Sequence, residues 1–231
     1  MVESKQTLAG IEIFRDVSAD DLDALANRCQ WRRYAADQQI LGHMNEMTDV
    51  FFIVDGTVRA VSYSLSGKEV MYRDIGGGEM FGEYAAIDGQ PRSANVVAVT
   101  DTLIASMSAG ALWEVLAAHP VVAAMILRRL TKQIRNLTER IFEFSTLAVR
   151  NRIHAELLRL ARDHVGDGDS AVFSPAPTHA EIASRVSTHR EAVTRELNNL
   201  AHAGLIEQHG RVLTIRSISK LARMVEEVLG T

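Results

Sequence analysis

A single cysteine, Cys29, among 231 residues leaves no intrachain disulfide and no cysteine-built metal or iron–sulfur site, and it fits a reducing compartment. No apolar run approaches the roughly 20 residues that a membrane-spanning helix needs. The opening "MVESKQTLAGIEIF" has no basic stretch followed by an apolar one, so a signal peptide is not expected. The expected location is the cytoplasm, with no membrane partner. Signs of catalysis are equally sparse. The glycines of "IGGGEMFGE" are followed by no Gly-Lys-Ser/Thr, as a phosphate loop would require. There is no nucleophile elbow, no histidine pair at metal spacing and no second carboxylate partnered with Glu83. The chain is expected to be neither an enzyme nor a metal or covalent-cofactor protein. Tandem repeats and low-complexity tracts are also missing.

What remains is an ordinary globular composition, 47% apolar and 23% charged, in a chain long enough for two modest domains. The net charge of −4 is spread unevenly. From Ala148 onward there are 11 Lys/Arg against 10 Asp/Glu (+1), which leaves 14 against 19 (−5) before it. Six of the eight histidines lie in that later part.

Organisation along the chain follows the change of period. Ser18 opens a short amphipathic helix, "SADDLDALANRC", with Asp21 at the capping-box position. Residues 31–107 then read as short strands, with hairpin signals at Asp55-Gly56 and Ser66-Gly67 and a break at Gly76-Gly77-Gly78. Such spacing indicates a compact barrel or sandwich. "SAGALWEVLAAH" is a helix ending at Pro120. In residues 120–144 the apolar positions Ala123, Leu127, Leu130, Ile134, Leu137, Ile141 and Phe144 alternate in steps of four and three. This seam, flanked by charges that include Arg129 and Arg140, predicts a parallel dimer coiled coil; packing on the chain's own barrel is the other reading. "AVRNRIHAELLRLARDH" is a further helix, and "VGDGDSAVFSPAP" reads as a connector. Two capping boxes, Thr178 to Glu181 and Thr188 to Glu191, open two short helices, the first with Ala180, Ala183 and Val186 facing in. A hairpin turning at His209-Gly210 follows, which gives a winged helix-turn-helix. "SISKLARMVEEVLG" closes the chain as a helix.

Two places have residues suited to binding. In "FGEYAAIDGQPRSANV", Gly82 and Glu83 stand before, and Arg92, Ser93 and Ala94 after, a stretch that contains the turn-forming run Asp88-Gly89-Gln90-Pro91. An arginine fork and a serine hydroxyl match phosphate oxygens, and an acceptor-only carboxylate matches a sugar hydroxyl, so the set fits a nucleotide. A surface salt bridge across a turn is the plainer alternative. In the helix-turn-helix, Arg190, Glu191 and Arg195 lead the second helix and suit base edges, arginine to guanine and glutamate to cytosine. Thr178, His179, His189 and the wing-tip His209 and Gly210 suit phosphate and groove contacts.

From about Ile11 to Arg216 the chain resembles the cyclic-AMP receptor branch of the CRP/FNR bacterial transcription regulators. The resemblance lies in "FGE…PRSA", the long helix and "RE…R" on the second helix of the helix-turn-helix. It implies an α+β fold with an N-terminal β-roll and dimerisation helix (residues 1–144) and a winged helix-turn-helix (145–231), hinged near Ser145-Thr146. It further implies a homodimer through helix 120–144, double-stranded DNA with a TGTGA-like palindrome, and RNA polymerase as partners. Cyclic AMP or cyclic GMP is the implied allosteric ligand. The ligand set it implies is Gly82, Glu83, Tyr84, Arg92, Ser93 and Ala94, with Glu83 on the ribose and Arg92 and Ser93 on the phosphate. The family's two adjacent hydroxyl residues on the long helix correspond here to Leu137 and Thr138, so purine discrimination is expected to be looser. The same fold sensing another effector, with Glu83 and Arg92 merely paired, is the alternative.

Overall fold

The computed structural model describes residues 7–65, 67, 69–162 and 168–229. Ser66, and the part of the expected connector up to Asp167, lie outside them. The chain forms two compact units, one to Gln133 and one from Ile134, against the 144/145 division expected above. Among the described residues no single helix is long and apolar enough to cross a membrane.

In the first unit a capped helix α1 (Ala19–Ala26) precedes eight strands: β1 (Gln30–Tyr34), β2 (Gln39–Leu41), β3 (Val50–Asp55), β4 (Thr57–Tyr63), β5 (Glu69–Gly76), β6 (Met80–Phe81), β7 (Asn95–Ala98) and β8 (Thr102–Met107). They form two antiparallel four-stranded sheets, ordered β1-β8-β3-β6 and β2-β7-β4-β5. Alternation along β3 divides the core. Phe51 and Ile53 join Val58, Ile75, Phe81 and Ile104 in one cluster, while Phe52 joins Phe14, Leu112, Val122 and Ile126 in another. The latter cluster seats α3 (Ala109–Ala118) and the start of α4 (Pro120–Thr146).

The β4–β5 pair is a hairpin as expected, but Asp55-Gly56 is not. β3 pairs with β6 and β8 while β4 pairs with β5 and β7, so the chain changes sheets at this corner. Gly56 has φ +91°, and a Cβ there would lie 2.5 Å from Asp101 O, so the corner needs glycine. An element the sequence reading did not assign is α2 (Glu83–Asp88), a six-residue helix just before the expected turn at Asp88-Gly89-Gln90-Pro91. The glycines at both its ends, Gly82 (φ +79°) and Gly89 (φ +70°), are left-handed, which makes so short a helix look like loop.

The second unit contains the rest of α4, then α5 (Val149–Arg162), β9 (Ala171–Phe173), α6 (His179–Arg185), α7 (Arg190–His202), β10 (Ile206–His209), β11 (Val212–Ile215) and α8 (Ile218–Leu229). Its core gathers Ile153, Leu157, Ile182, Val193, Leu197, Leu213 and Leu221. The expected connector contains β9, which pairs with β11 in a sheet ordered β10-β11-β9. Ala183 and Val186 face inward as expected, but Ala180 is exposed and Ile182 takes the inward place.

Along α4 the apolar stripe is exposed in the single chain, with Leu127 65%, Ile134 64%, Leu137 48%, Ile141 66% and Phe144 41% accessible. Within the first unit Leu130 of this stripe packs partly on the barrel core beside the buried Val122 and Ile126. Two of the expected flanking charges turn inward. Arg129 donates to Met80 O at 2.7 Å and to Glu79 at 3.3 Å. Arg140 donates to the fully buried Glu156 at 2.8 Å.

Candidate functional site

Arg92 is 3% exposed. Its Nη1 donates to Gly82 O at 2.8 Å and its Nη2 to Asp49 O at 2.6 Å, and the guanidinium lies 5.4 Å from the Phe51 ring centre. Its backbone is fixed as well, since Arg92 N donates to Asn45 O at 2.9 Å and Arg92 O accepts from Met44 N at 3.0 Å. The fork is thus held by main-chain carbonyls, and its Nε is buried without a partner. The Nε of Arg129, Arg140 and Arg185 is buried without a partner too, so what sets Arg92 apart is a fork held on two main-chain carbonyls with no carboxylate against it. Burial pushes the guanidinium below its ordinary value, against the opposing pull of Asp49 and Glu83.

Gly82 completes the cradle. A Cβ there would lie 2.6 Å from Arg92 Nη1 and 3.1 Å from Asp49 O, and the residue's φ is already positive. Glu83, the first residue of α2, is 6% exposed, and among the described residues no ion pair joins it to Arg92. Burial pushes its carboxyl above the ordinary carboxylate value; its own backbone N–H, Arg129 and Arg73 oppose this, while Glu79 adds to it. Arg73 and Arg129 are themselves bonded to Glu79. Ser93 and Tyr84 are exposed, and Ala94 is half-buried. The salt bridge across the turn is not formed. Among the described residues the site has a buried carboxylate without an ion-pair partner and a buried arginine held by main-chain carbonyls, a set that fits a ligand presenting a hydroxyl and an anionic oxygen.

A raised folded-state pKa means that Glu83 contributes stability below its unfolded value of 4.5, and that this is lost as pH rises through the folded value. Above the folded value, keeping this buried carboxyl ionised is a cost. Glu83→Gln is therefore expected to raise the melting temperature of the ligand-free protein, by the equivalent of about 1–3 kcal/mol. The gain should vanish as pH falls towards 4. Calorimetric scans across pH check it, and an unchanged melting temperature at pH 7 would contradict it.

Leu137 and Thr138 lie on α4 in the second unit. Leu137 belongs to the exposed stripe, and Thr138 Oγ1 donates to Ile134 O at 3.0 Å within its own helix.

In the helix-turn-helix, the Thr178–Glu181 capping box is present. The Thr178 hydroxyl accepts from Glu181 N and donates to the Glu181 carboxylate at 2.9 Å, so it is engaged in the cap. The second expected box is not. Ser187 is left-handed (φ 54°) and Thr188 N bonds Ala183 O, so the chain enters α7 one residue later, with His189 as N-cap and no side-chain cap bond. Glu191 consequently falls at the second helical position, exposed. Arg190 and Arg195 are exposed too, and none of the three makes a side-chain hydrogen bond or ion pair with a described residue. Val193, Leu197 and Leu200 bury the opposite face. His209 pairs with Val212, so the two-residue wing turn is Gly210-Arg211. Arg211, exposed at this tip, is a cation the sequence reading missed; the register of the hairpin was the only signal for it.

Two family models match. Residues 31–119 match the cyclic nucleotide-binding domain and residues 151–224 the Crp-like helix-turn-helix domain. A CRP-like cAMP-activated global transcriptional regulator of Mycobacterium tuberculosis is 26% identical over 219 residues, covering 94% of this chain and 98% of that protein. The crystal structure of Thermus thermophilus catabolite activator protein is 26% identical with a TM-score of 0.54, covering 94% and 99% of the two chains. The c-di-GMP responsive global regulator CLP of Xanthomonas campestris shares the fold, with a TM-score of 0.71 at 20% identity over 86% and 99% of the chains.

Proposed function

The chain belongs to the CRP/FNR family of transcription regulators, a cyclic-nucleotide-binding domain joined to a Crp-like helix-turn-helix, and we propose that it acts as a dimer gated by cyclic AMP or cyclic GMP. The observation that carries this reading is the buried Arg92 held on Gly82 O and Asp49 O, nine residues from a buried Glu83 that has no ion-pair partner among the described residues. In it, Arg92 and Ser93 hold the phosphate beside the Gly82 backbone, Glu83 accepts from the ribose hydroxyl, and Ala94 and Tyr84 border the ligand. The ligand supplies the anionic and hydroxyl groups that these buried atoms lack. The exposed stripe of α4 pairs with a second copy, where Leu137 adds apolar contact and Thr138 offers one hydroxyl to the base. A lone hydroxyl donates to or accepts from either purine, so cyclic AMP and cyclic GMP should differ by less than about 3 kcal/mol. The alternative, in which Glu83 and Arg92 neutralise each other and another effector is sensed, is disfavoured by Arg92's use of two main-chain carbonyls in place of that carboxylate.

On DNA, Arg190, Glu191 and Arg195 read base edges of a TGTGA-like half-site, and the dimer reads two as a palindrome. Thr178, His179, His189, His209 and Gly210 position the unit on the backbone, with RNA polymerase as the further partner. Arg190→Leu is expected to cost about 1–3 kcal/mol on the specific duplex and to relax choice at one base pair. Competition binding against single-substituted and scrambled duplexes measures this. Equal losses on both would remove the base-reading role.

A further inference from the structure

We propose that His179 meets a DNA phosphate only as an imidazolium, so that DNA binding takes up a proton at this residue; this rests on the DNA-reading role given above to α6 and α7. The argument starts from one hydroxyl. Thr194 Oγ1 on α7 lies 3.0 Å from Arg190 O, an acceptor, and 2.7 Å from His179 Nδ1 on α6. A hydroxyl has one hydrogen and a carbonyl has none. Both contacts are hydrogen bonds at once only when Oγ1–H donates to Arg190 O and Nδ1–H donates to Oγ1.

That arrangement fixes the tautomer. In the neutral ring Nε2 then has a bare lone pair, which repels phosphate oxygens. With a second proton, Nε2–H donates to phosphate and every other bond in the set is kept. Nε2 has no partner among the described residues.

The charged groups on the surrounding elements do not replace this proton. On α6, Glu181 is taken up by Thr178, and Arg185 bonds Glu156. On α5, Arg152 donates to Leu147 O and Val186 O, and Arg159 to Glu143 and Glu156. On α7, Arg190, Glu191 and Arg195 are exposed, and Glu196 is taken up by the buried His154 of α5 at 2.6 Å. His189 and His209 make no side-chain bond with a described residue, so each can present a neutral N–H to phosphate without taking up a proton. The lock is particular to His179, and Thr194 is its positioning residue.

The test is duplex binding by the full-length protein with its cyclic nucleotide from pH 6 to 8.5 at constant salt, on a TGTGA palindrome. Affinity should fall with rising pH by up to about tenfold per unit for each proton taken up. His179→Arg, a permanent double donor, should have a shallower slope. Thr194→Val should be shallower too, because the released ring can hold its proton on Nε2. Equal slopes for all three proteins would overturn the proposal. Imidazole nitrogen-15 shifts of the free, deprotonated protein give a reading independent of DNA: a protonated Nδ1 is expected, and a protonated Nε2 would overturn it. If the wild type bound no duplex at any pH, the DNA-reading role would fall, and the phosphate contact with it, whatever the tautomer.

Discussion

Arg92→Gln is expected to weaken cyclic-nucleotide binding by about 2–5 kcal/mol, a hundredfold or more, because it removes one side of a buried charge-assisted contact. Arg92→Lys should recover only a fraction. A lysine supplies a point charge but cannot span Gly82 O and Asp49 O while also offering a free donor. Both substitutions also release two buried carbonyls, so a fall in melting temperature is expected beside the binding loss. The binding unit and the DNA-reading unit separate these effects. In Arg92→Gln, non-specific DNA binding should persist while the response to nucleotide disappears. Titration calorimetry and duplex binding on one preparation measure both quantities. A nucleotide affinity within threefold of wild type would show that the fork holds its loop and nothing more.

The second large effect is expected in the other unit. Glu156 on α5 is fully buried and accepts from Arg140 at 2.8 Å, from Arg159 at close range and from Arg185 at 3.5 Å. Arg159 also reaches Glu143 at 2.7 Å, and Arg140 reaches Arg185 O at 3.3 Å. One carboxylate thus joins the last turns of α4, α5 and the end of α6. Glu156→Ala leaves buried guanidiniums facing one another, and the loss should be about 3–5 kcal/mol, as when one partner of a buried ion pair is removed. Hydrogen exchange should show it in α5 and α6, with the strands of the first unit unchanged. Protection unchanged in α5 would mean that the arginines find water or other partners. The same contacts bear on the expected hinge. Arg140 and Glu143 are bonded to side chains of α5, so the segment N-terminal to Ser145-Thr146 is anchored within the second unit.

The residues explain which features were legible beforehand. The Thr178–Glu181 box, the wing and the β4–β5 hairpin depend on neighbours in sequence, and local pattern is enough for them. The Asp55-Gly56 corner was misread because alternation tells which face of a strand is buried, not which strand it pairs with. β9 was hidden because three residues in a Gly/Pro-rich stretch become a strand only through β11, some forty positions on. Arg92 stands out in the sequence, but its partners do not, since main-chain carbonyls have no residue signature. The Glu156 cluster draws on three helices, and charges 16 and 29 positions from it in sequence give no periodic signal.

The central claim is that a cyclic nucleotide occupies the Glu83–Arg92 cradle and favours DNA reading. Its most direct test is calorimetric titration of the full chain with cyclic AMP and with cyclic GMP, followed by duplex binding of each complex on a TGTGA palindrome. The account predicts micromolar binding that tightens DNA affinity, with the two nucleotides within about 3 kcal/mol of each other. Heat from neither nucleotide, in a folded protein that still binds the duplex, would contradict it.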